Sequence, residues 1–453
     1  MKSRLSILYF LQFGVWGCYL TSLGQFLGAG GLGRDIAWFY AAIGIVSIIT
    51  PPLFGRLADR MRRPHRLLSA AHLTAGCLMT ALWHYAVSHP KLEFTPVYLL
   101  YIGFLAFYMP TMALANTVSF RILERNGFST VTDFPHIRIW GTVGFVAAMW
   151  FVNSAYWLDG SLHFTLTDTS DPGHLRFQYN AMQLLCSGMM GVAAGVYSMS
   201  LPCGSDVRNR AAPGRSASAG FTTSVRRLLS ADGMAVFLVF VMLSGVCLQI
   251  SNGFATPYIT HFTAYPEYYG SLAAGNATML FSLSQISEAF CILLVGLALK
   301  RKGITWVYAI GLAAWGLRFL MLGLGNPADG LWLLIGSMLV YGVAFNFITI
   351  AGHLHIQQAS PKEMKGLAQG VMMFMGNGIG ATTGIFIAGS VVNHWCRWET
   401  VAGGDSAVRL FMGEWTWPWL IFAAYAFTVA LAWMRAAFGR SGLSAPPPRG
   451  KYP

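Results

Sequence analysis

Apolar stretches long enough to cross a bilayer recur along the chain between short polar breaks. They predict twelve helices, over 5–28, 36–56, 67–88, 96–119, 137–158, 178–200, 233–261, 273–299, 304–324, 331–355, 366–392 and 416–436. No alternation of period two competes with them, so the class expected is all-α. The first stretch is long, contains Gln12 and lacks a small-residue cleavage site, so it reads as a retained helix and not a signal peptide. The longest polar break, 201–232, is rich in Ala, Gly, Ser and Arg and divides the chain into six helices and six. The expected organisation is a bundle over 1–200, a flexible linker over 201–232 resting on anionic headgroups, a second bundle over 233–439, and a disordered tail over 440–453. A weak repeat supports the division: Gly55-Arg56-Leu57-Ala58-Asp59-Arg60 follows the second helix, and Gly296-Leu297-Ala298-Leu299-Lys300-Arg301 follows the eighth. Paired six-helix halves are a transporter architecture, with the substrate site near mid-membrane.

Composition agrees with this count. Of 453 residues, 55% are hydrophobic and only 10% are charged, against roughly a quarter charged in a soluble domain. Twelve helices at about 20 apolar residues each need about 240. A disordered chain would show the opposite balance. The net charge of +13 could suggest nucleic acid, but the basic residues are sorted by side. Twenty-three Lys and Arg fall on the side of the two termini, five on the other side, and two, Arg138 and Arg318, within helices. The positive-inside rule then places both termini in the cytoplasm and makes the charge a topology signal, with no nucleic-acid partner expected. The seven Cys do not form a disulfide framework, since only Cys396 lies on the outer side. No His-Glu-x-x-His, Cys-x-x-Cys or phosphate-binding loop is present, so neither enzyme nor metal chemistry is expected.

The polar residues inside the helices carry the candidate chemistry. Glu288 is the only carboxylate within a predicted span and stands near its middle, where an acid costs about 2.5–3.5 kcal/mol to insert. Desolvation there disfavours the anion, which suits a group that takes up and releases a proton. Pairing with Arg318 on the next helix is an alternative role compatible with the first. Gln285 lies three residues before Glu288 on the same helix face, and Gln249 and Asn252 repeat that spacing on the seventh helix. Amides donate and accept, which suits a neutral ligand bearing hydroxyls and base edges. Their alternative role is hydrogen bonding between helices. Gln12, Trp16, Asn116, Gln369 and Asn377 read as packing.

Gly55-Arg56-Leu57-Ala58-Asp59-Arg60-Met61-Arg62-Arg63 resembles the loop signature of the major facilitator superfamily. Phe10-Leu11-Gln12-Phe13 with Trp16-Gly17, the run Val131-Thr132-Asp133-Phe134-Pro135 into Ile137-Arg138-Ile139-Trp140-Gly141-Thr142, Leu248-Gln249-Ile250 with Asn252, Ser284-Gln285-Ile286-Ser287-Glu288, and Tyr341-Gly342 before Ala344-Phe345 resemble the bacterial nucleoside:proton symporters of that superfamily. The resemblance implies a proton-driven nucleoside importer of the inner membrane, a monomer without cofactor. Its partners would be nucleoside, protons and the bilayer. Its cavity residues map onto Arg138, Thr142, Phe145, Gln249, Asn252, Gln285, Glu288 and Phe345. Arg138, Thr142 and Phe145 share one face of the fifth helix. Phe145 and Phe345 would stack on a base, at about 1–3 kcal/mol each. The family pattern has Asp directly after that Phe, whereas this chain has Asn346. A proton-coupled carrier of a sugar or another small polar solute is the alternative on the same fold.

Overall fold

The computed structural model describes residues 1–61, 63–89, 91–128, 133–166, 175–202, 226–231, 233–268, 270–360, 365–403 and 406–439. Most of the expected linker and all of the expected tail lie outside the described residues.

Helices meet all twelve predicted stretches. They are α1 (Lys2–Gly17), continued by α2 (Leu23–Leu27), then α3 (Ile36–Arg60), α4 (Pro64–Ser88), α5 (Phe94–Arg125), α6 (Phe134–Ser154) and α7 (Met182–Met199). The second half supplies α8 (Met234–His261), the short α9 (Leu272–Gly275), α10 (Ala277–Leu324), α11 (Leu331–Ala359), α12 (Lys365–Met373) running through a π-helical turn into α13 (Ala381–Trp395), and α14 (Thr416–Gly439). α10 holds the eighth and ninth predicted helices. Gly303, at φ 78° and ψ 170°, breaks it, a conformation open to glycine because it has no Cβ.

The chain departs from the all-helical expectation at two hairpins. The fifth helix stops at Ser154, four residues early, and β1 (Ala155–Leu158) pairs antiparallel with β2 (Ser161–Phe164). The turn between them is Asp159-Gly160, both at positive φ, the two-residue connection whose twist matches a hairpin. β3 (Cys396–Gly403) and β4 (Ser406–Gly413) form the second hairpin, with Trp398 opposite Phe411.

The described chain divides into two compact units. The first comprises Met1–Arg208, Asn252–Ser282 and Gly389–Gly413, so segments from both sides of the linker share it. Within it α1 packs on α6 and α7, α4 on α5 and α7, and α3 on α5. α1 and α6 approach to backbone contact: a Cβ on Gly17 would collide with the Phe145 carbonyl, and one on Gly144 with the Phe10 backbone. Small residues allow such approach where lipid supplies no hydrophobic drive. The Ser187 hydroxyl donates to the Val15 carbonyl at 2.9 Å and Ser69 to that of Gly195 at 2.7 Å, tying α7 to α1 and to α4.

The second unit comprises Asn209–Ser251, Leu283–Ala388 and Glu414–Pro453. Its core is built on Phe237, Tyr308, Leu312, Phe347, Ala351 and Trp433, all buried. The Trp433 indole donates to the Thr305 carbonyl at 3.0 Å. Gly342 of α11 lies against Ser287 of α10 so closely that a Cβ there would meet Ser287 atoms at 2.5 Å. That approach sets the position of the candidate residues on both helices.

Candidate functional site

Each unit carries one group of predicted residues. In the second unit, α10 and α11 bring together Gln285, Glu288, Phe345 and Asn346, and α8 carries Gln249. Asn346 is buried, and its amide donates to the Glu288 main-chain carbonyl at 2.7 Å. Position 346 is therefore beside Glu288. Tyr341, one turn before Phe345, stacks on it with ring centroids 5.8 Å apart and planes 3° from parallel. The Tyr341 phenol hydrogen-bonds the Gln285 side chain and lies within electrostatic reach of Glu288 and Arg318.

Arg318 is fully buried. Its guanidinium lies over the Tyr341 ring, 4.9 Å from the centroid. It donates to the Ser251 hydroxyl at 2.9 Å, the Ser284 hydroxyl at 3.3 Å and the Ser337 carbonyl at 2.5 Å. Three helices thereby hold a permanent cation beside the carboxylate-bearing face of α10. Gln249 is also buried, and its side-chain oxygen has no hydrogen-bond partner among the described residues. A buried acceptor left so is costly unless a ligand or solvent donor reaches it. The sequence reading omitted Tyr341, Ser251 and Ser284 from the site. Tyr341 was legible, since it sits at i−4 from Phe345 on the same helical face.

In the first unit, Arg138, Thr142 and Phe145 lie on α6, with Arg138 and Thr142 half-buried and Phe145 buried. The Arg138 guanidinium lies over the Phe13 ring of α1, 3.9 Å from the centroid, with Tyr9 at 5.9 Å. This cation–π seat gains strength as water is excluded. Asp133, just before α6, forms an ion pair with Lys2 at 2.6 Å. Asn252 falls in this unit by its packing and is half-buried, although it shares α8 with Gln249. A cavity of about 510 Å³ opens between the N-terminal ends of α1 and α6, lined by Lys2, Ser6, Phe10, His136, Ile137 and Trp140 among others. None of the predicted site residues lines it.

Of the residues read as packing, Asn116, Gln12, Asn377 and Gln369 have internal hydrogen-bond partners, while the buried Trp16 indole nitrogen and the Gln12 side-chain oxygen have none among the described residues. Tyr9 donates to the Asn116 side chain at 2.6 Å, Gln12 to the Met112 sulfur at 3.1 Å, and Asn377 to the Met373 sulfur at 3.7 Å. Gln369 bonds His353 through both ends of its amide, at 2.5 Å to the ring and 3.0 Å to the carbonyl.

The chain matches the Nucleoside H+ symporter family over residues 1–440. It is 32% identical to xanthosine permease of Escherichia coli (strain K12) over 432 residues, 94% of each chain. It is 33% identical to nucleoside permease NupG of the same organism over 437 residues, 96% of this chain and 95% of that one. A crystal structure of nucleoside transporter NupG matches with a TM-score of 0.77 at 32% identity, covering 96% of this chain and 98% of that one. A bacterial homologue of the lysosomal transporter Spinster, at 11% identity and TM-score 0.66, shares the fold. The twelve helices have the major facilitator superfamily fold, in two six-helix halves. The protein is a multi-pass membrane transporter and not an enzyme. It belongs to the nucleoside:proton symporter family.

Proposed function

We propose that the protein imports nucleosides with protons across the inner membrane by alternating access of two bundles, 1–200 and 233–439, with both termini cytoplasmic. The sorting of Lys and Arg supports that orientation. On this reading Glu288 carries the proton. Gln249, Asn252 and Gln285 bond the sugar and base edges, Phe145 and Phe345 stack on the base, and Arg138 and Thr142 contact the nucleoside from the first half. Asn346 orders the Glu288 segment and takes part in the site. No cofactor enters, since the proton gradient supplies the driving force, and the monomer is the working unit. The observation that carries the reading is the cluster on α8, α10 and α11. There Tyr341 contacts Gln285, Arg318 and Phe345 within electrostatic reach of Glu288, and α8 of the same unit carries a buried Gln249 oxygen that a nucleoside hydroxyl or amine would satisfy.

The test is uptake of labelled uridine and adenosine by membrane vesicles with and without an imposed proton gradient. Accumulation above the outside concentration, abolished by a protonophore, is expected. Uptake indifferent to the gradient would remove the coupling, and uptake of a sugar in place of both nucleosides would remove the substrate.

A further inference from the structure

Segments from the two halves of the sequence meet inside the first unit, Gly24 against Gly253 and Ala37 against Gly389 among them, and two of the meeting places carry polar or aromatic fastenings. The first centres on Arg176, which precedes α7 and is 2% exposed. Its guanidinium donates to the Asn276 side-chain oxygen at 2.6 Å and to the Asn153 carbonyl at 3.2 Å. It also bonds the Gly275 carbonyl and the Tyr179 hydroxyl. The Asn153 amide donates to the same Asn276 oxygen at 2.6 Å, and the Asn276 amide donates to the Leu166 carbonyl at 2.7 Å. Asn276 interrupts the helix between α9 and α10. That interruption frees the Gly275 carbonyl, which Gln178 and Tyr179 also reach, at 3.3 and 3.1 Å. Just below, the Trp150 indole donates to the Ser282 hydroxyl at 2.7 Å.

The second place is a socket. Trp398 of β3, stacked on Phe411 at 4.9 Å, seats its indole against the glycine tract that follows α2. A Cβ built on Gly28 or on Gly33 would fall within the indole ring. Gly31 between them is at φ 98°. Gln25 of α2 donates to the Arg409 carbonyl of β4 at 3.2 Å, fixing the hairpin beside the socket. No side chain larger than hydrogen fits at either glycine while Trp398 is seated.

We propose that the Arg176 cluster and the Trp398 socket are a two-point clasp that closes the outer end of the transport path, and that its release is the step that opens the protein to the outside. The proposal rests on the alternating-access reading. The bonds of Arg176 and Asn153 to Asn276, of Arg176 to Gly275, of Trp150 to Ser282 and of Gln25 to Arg409, and the seating of Trp398 on Gly28 and Gly33, all join residues before the linker to residues after it, so rocking one half against the other must break them together. Polar contacts and a removable aromatic plug suit that task, since they bond well when closed and are solvated when open.

The test uses the full chain in lipid nanodiscs with spin labels on Ser161→Cys and Thr400→Cys, exposed positions on the two hairpins. Pulsed electron resonance should show a short distance in the parent. Arg176→Gln, which loses the guanidinium fork, and Gly33→Ala, which evicts the indole, should each add a longer population. Unchanged distributions in both variants would overturn the clasp. In a second arm, the same exposed pair, Ser161→Cys/Thr400→Cys, is linked with a bifunctional thiosulfonate reagent in proteoliposomes, beside the parent treated alike. Nucleoside uptake should be lost on linking and return on reduction. Undiminished uptake by the linked protein would overturn the proposal. The distance measurement stands by itself, so a parent that fails to accumulate nucleosides would count against the transport reading and leave the clasp to be judged by the labels.

Discussion

Arg176 and Arg318 are both buried, Arg176 held by amide, hydroxyl and carbonyl oxygens and Arg318 by hydroxyl and carbonyl oxygens. They differ in what they join. Arg318 links Ser251, Ser284 and Ser337, all after the linker. Arg176 links Asn153, before the linker, to Asn276 and Gly275, after it. The same side chain, equally desolvated, serves as an internal tie in one place and as a separable joint in the other. Burial alone does not distinguish the two roles; the position of the partners along the chain does.

The sharpest way to probe the Arg318 side is to remove the group that must change there without any helix parting. Glu288→Gln keeps the hydrogen-bonding shape and cannot carry a proton. Gradient-driven accumulation should fall to the equilibrium level, while exchange of nucleoside for nucleoside persists. Normal accumulation by this variant would sink the coupling role.

Removing the arginines themselves tests the contrast directly. Arg318→Ala leaves several buried acceptors without their donor, at about 1–3 kcal/mol for each that stays unsatisfied. The thermal midpoint of the purified protein should fall clearly. Arg176→Ala should lower it less, because an open state lacking those bonds already belongs to the cycle. A larger drop for Arg176→Ala would make it a structural tie like Arg318.

The tie also frames Gln249. Losing one buried hydrogen bond to a polar ligand costs about 1–3 kcal/mol, roughly 5- to 150-fold in affinity. Gln249→Ala should weaken nucleoside binding in that range by calorimetry, with the thermal midpoint kept. A lost midpoint with intact binding would assign Gln249 to holding helices together.

The smallest effect is expected at Asn346. Its amide donates to the Glu288 carbonyl at 2.7 Å. In Asn346→Asp that donor is lost and a second carboxylate stands near Glu288, so the pH profile of transport should differ from the parent's. An identical profile would separate position 346 from the proton.

How much of this the sequence carried depends on depth in the membrane. Glu288, Gln249 and Arg318 stood out because a polar group at mid-membrane is expensive and needs a reason. Arg176 did not, because a basic residue in a polar break has no evident cost. Its burial comes from Asn276 and Gly275, about a hundred positions away, and no local pattern announces that meeting. The first hairpin had a local signal in Asp159-Gly160, masked by the apolar run Ala155-Tyr156-Trp157-Leu158 that continues the fifth helix. Trp398 and the glycines at 28–33 are legible singly as a strand aromatic and a flexible tract. Only the fold shows that one is shaped around the other.

Gly303 bears on how such a protein is made. It joins the helix carrying Ser284 to the helix carrying Arg318 through a single residue out of helical conformation. The two helices can therefore leave the insertion machinery as one hairpin, and the arginine need not cross into lipid alone. An arginine at the centre of a lone helix costs about 2.5–3.5 kcal/mol to insert. A serine hydroxyl delivered on the adjoining helix lowers that cost, and in the folded chain Ser251 and Ser337 share the guanidinium with it. Lengthening this turn would uncouple the pair during biogenesis, and the penalty would appear as lost membrane yield before any change in transport.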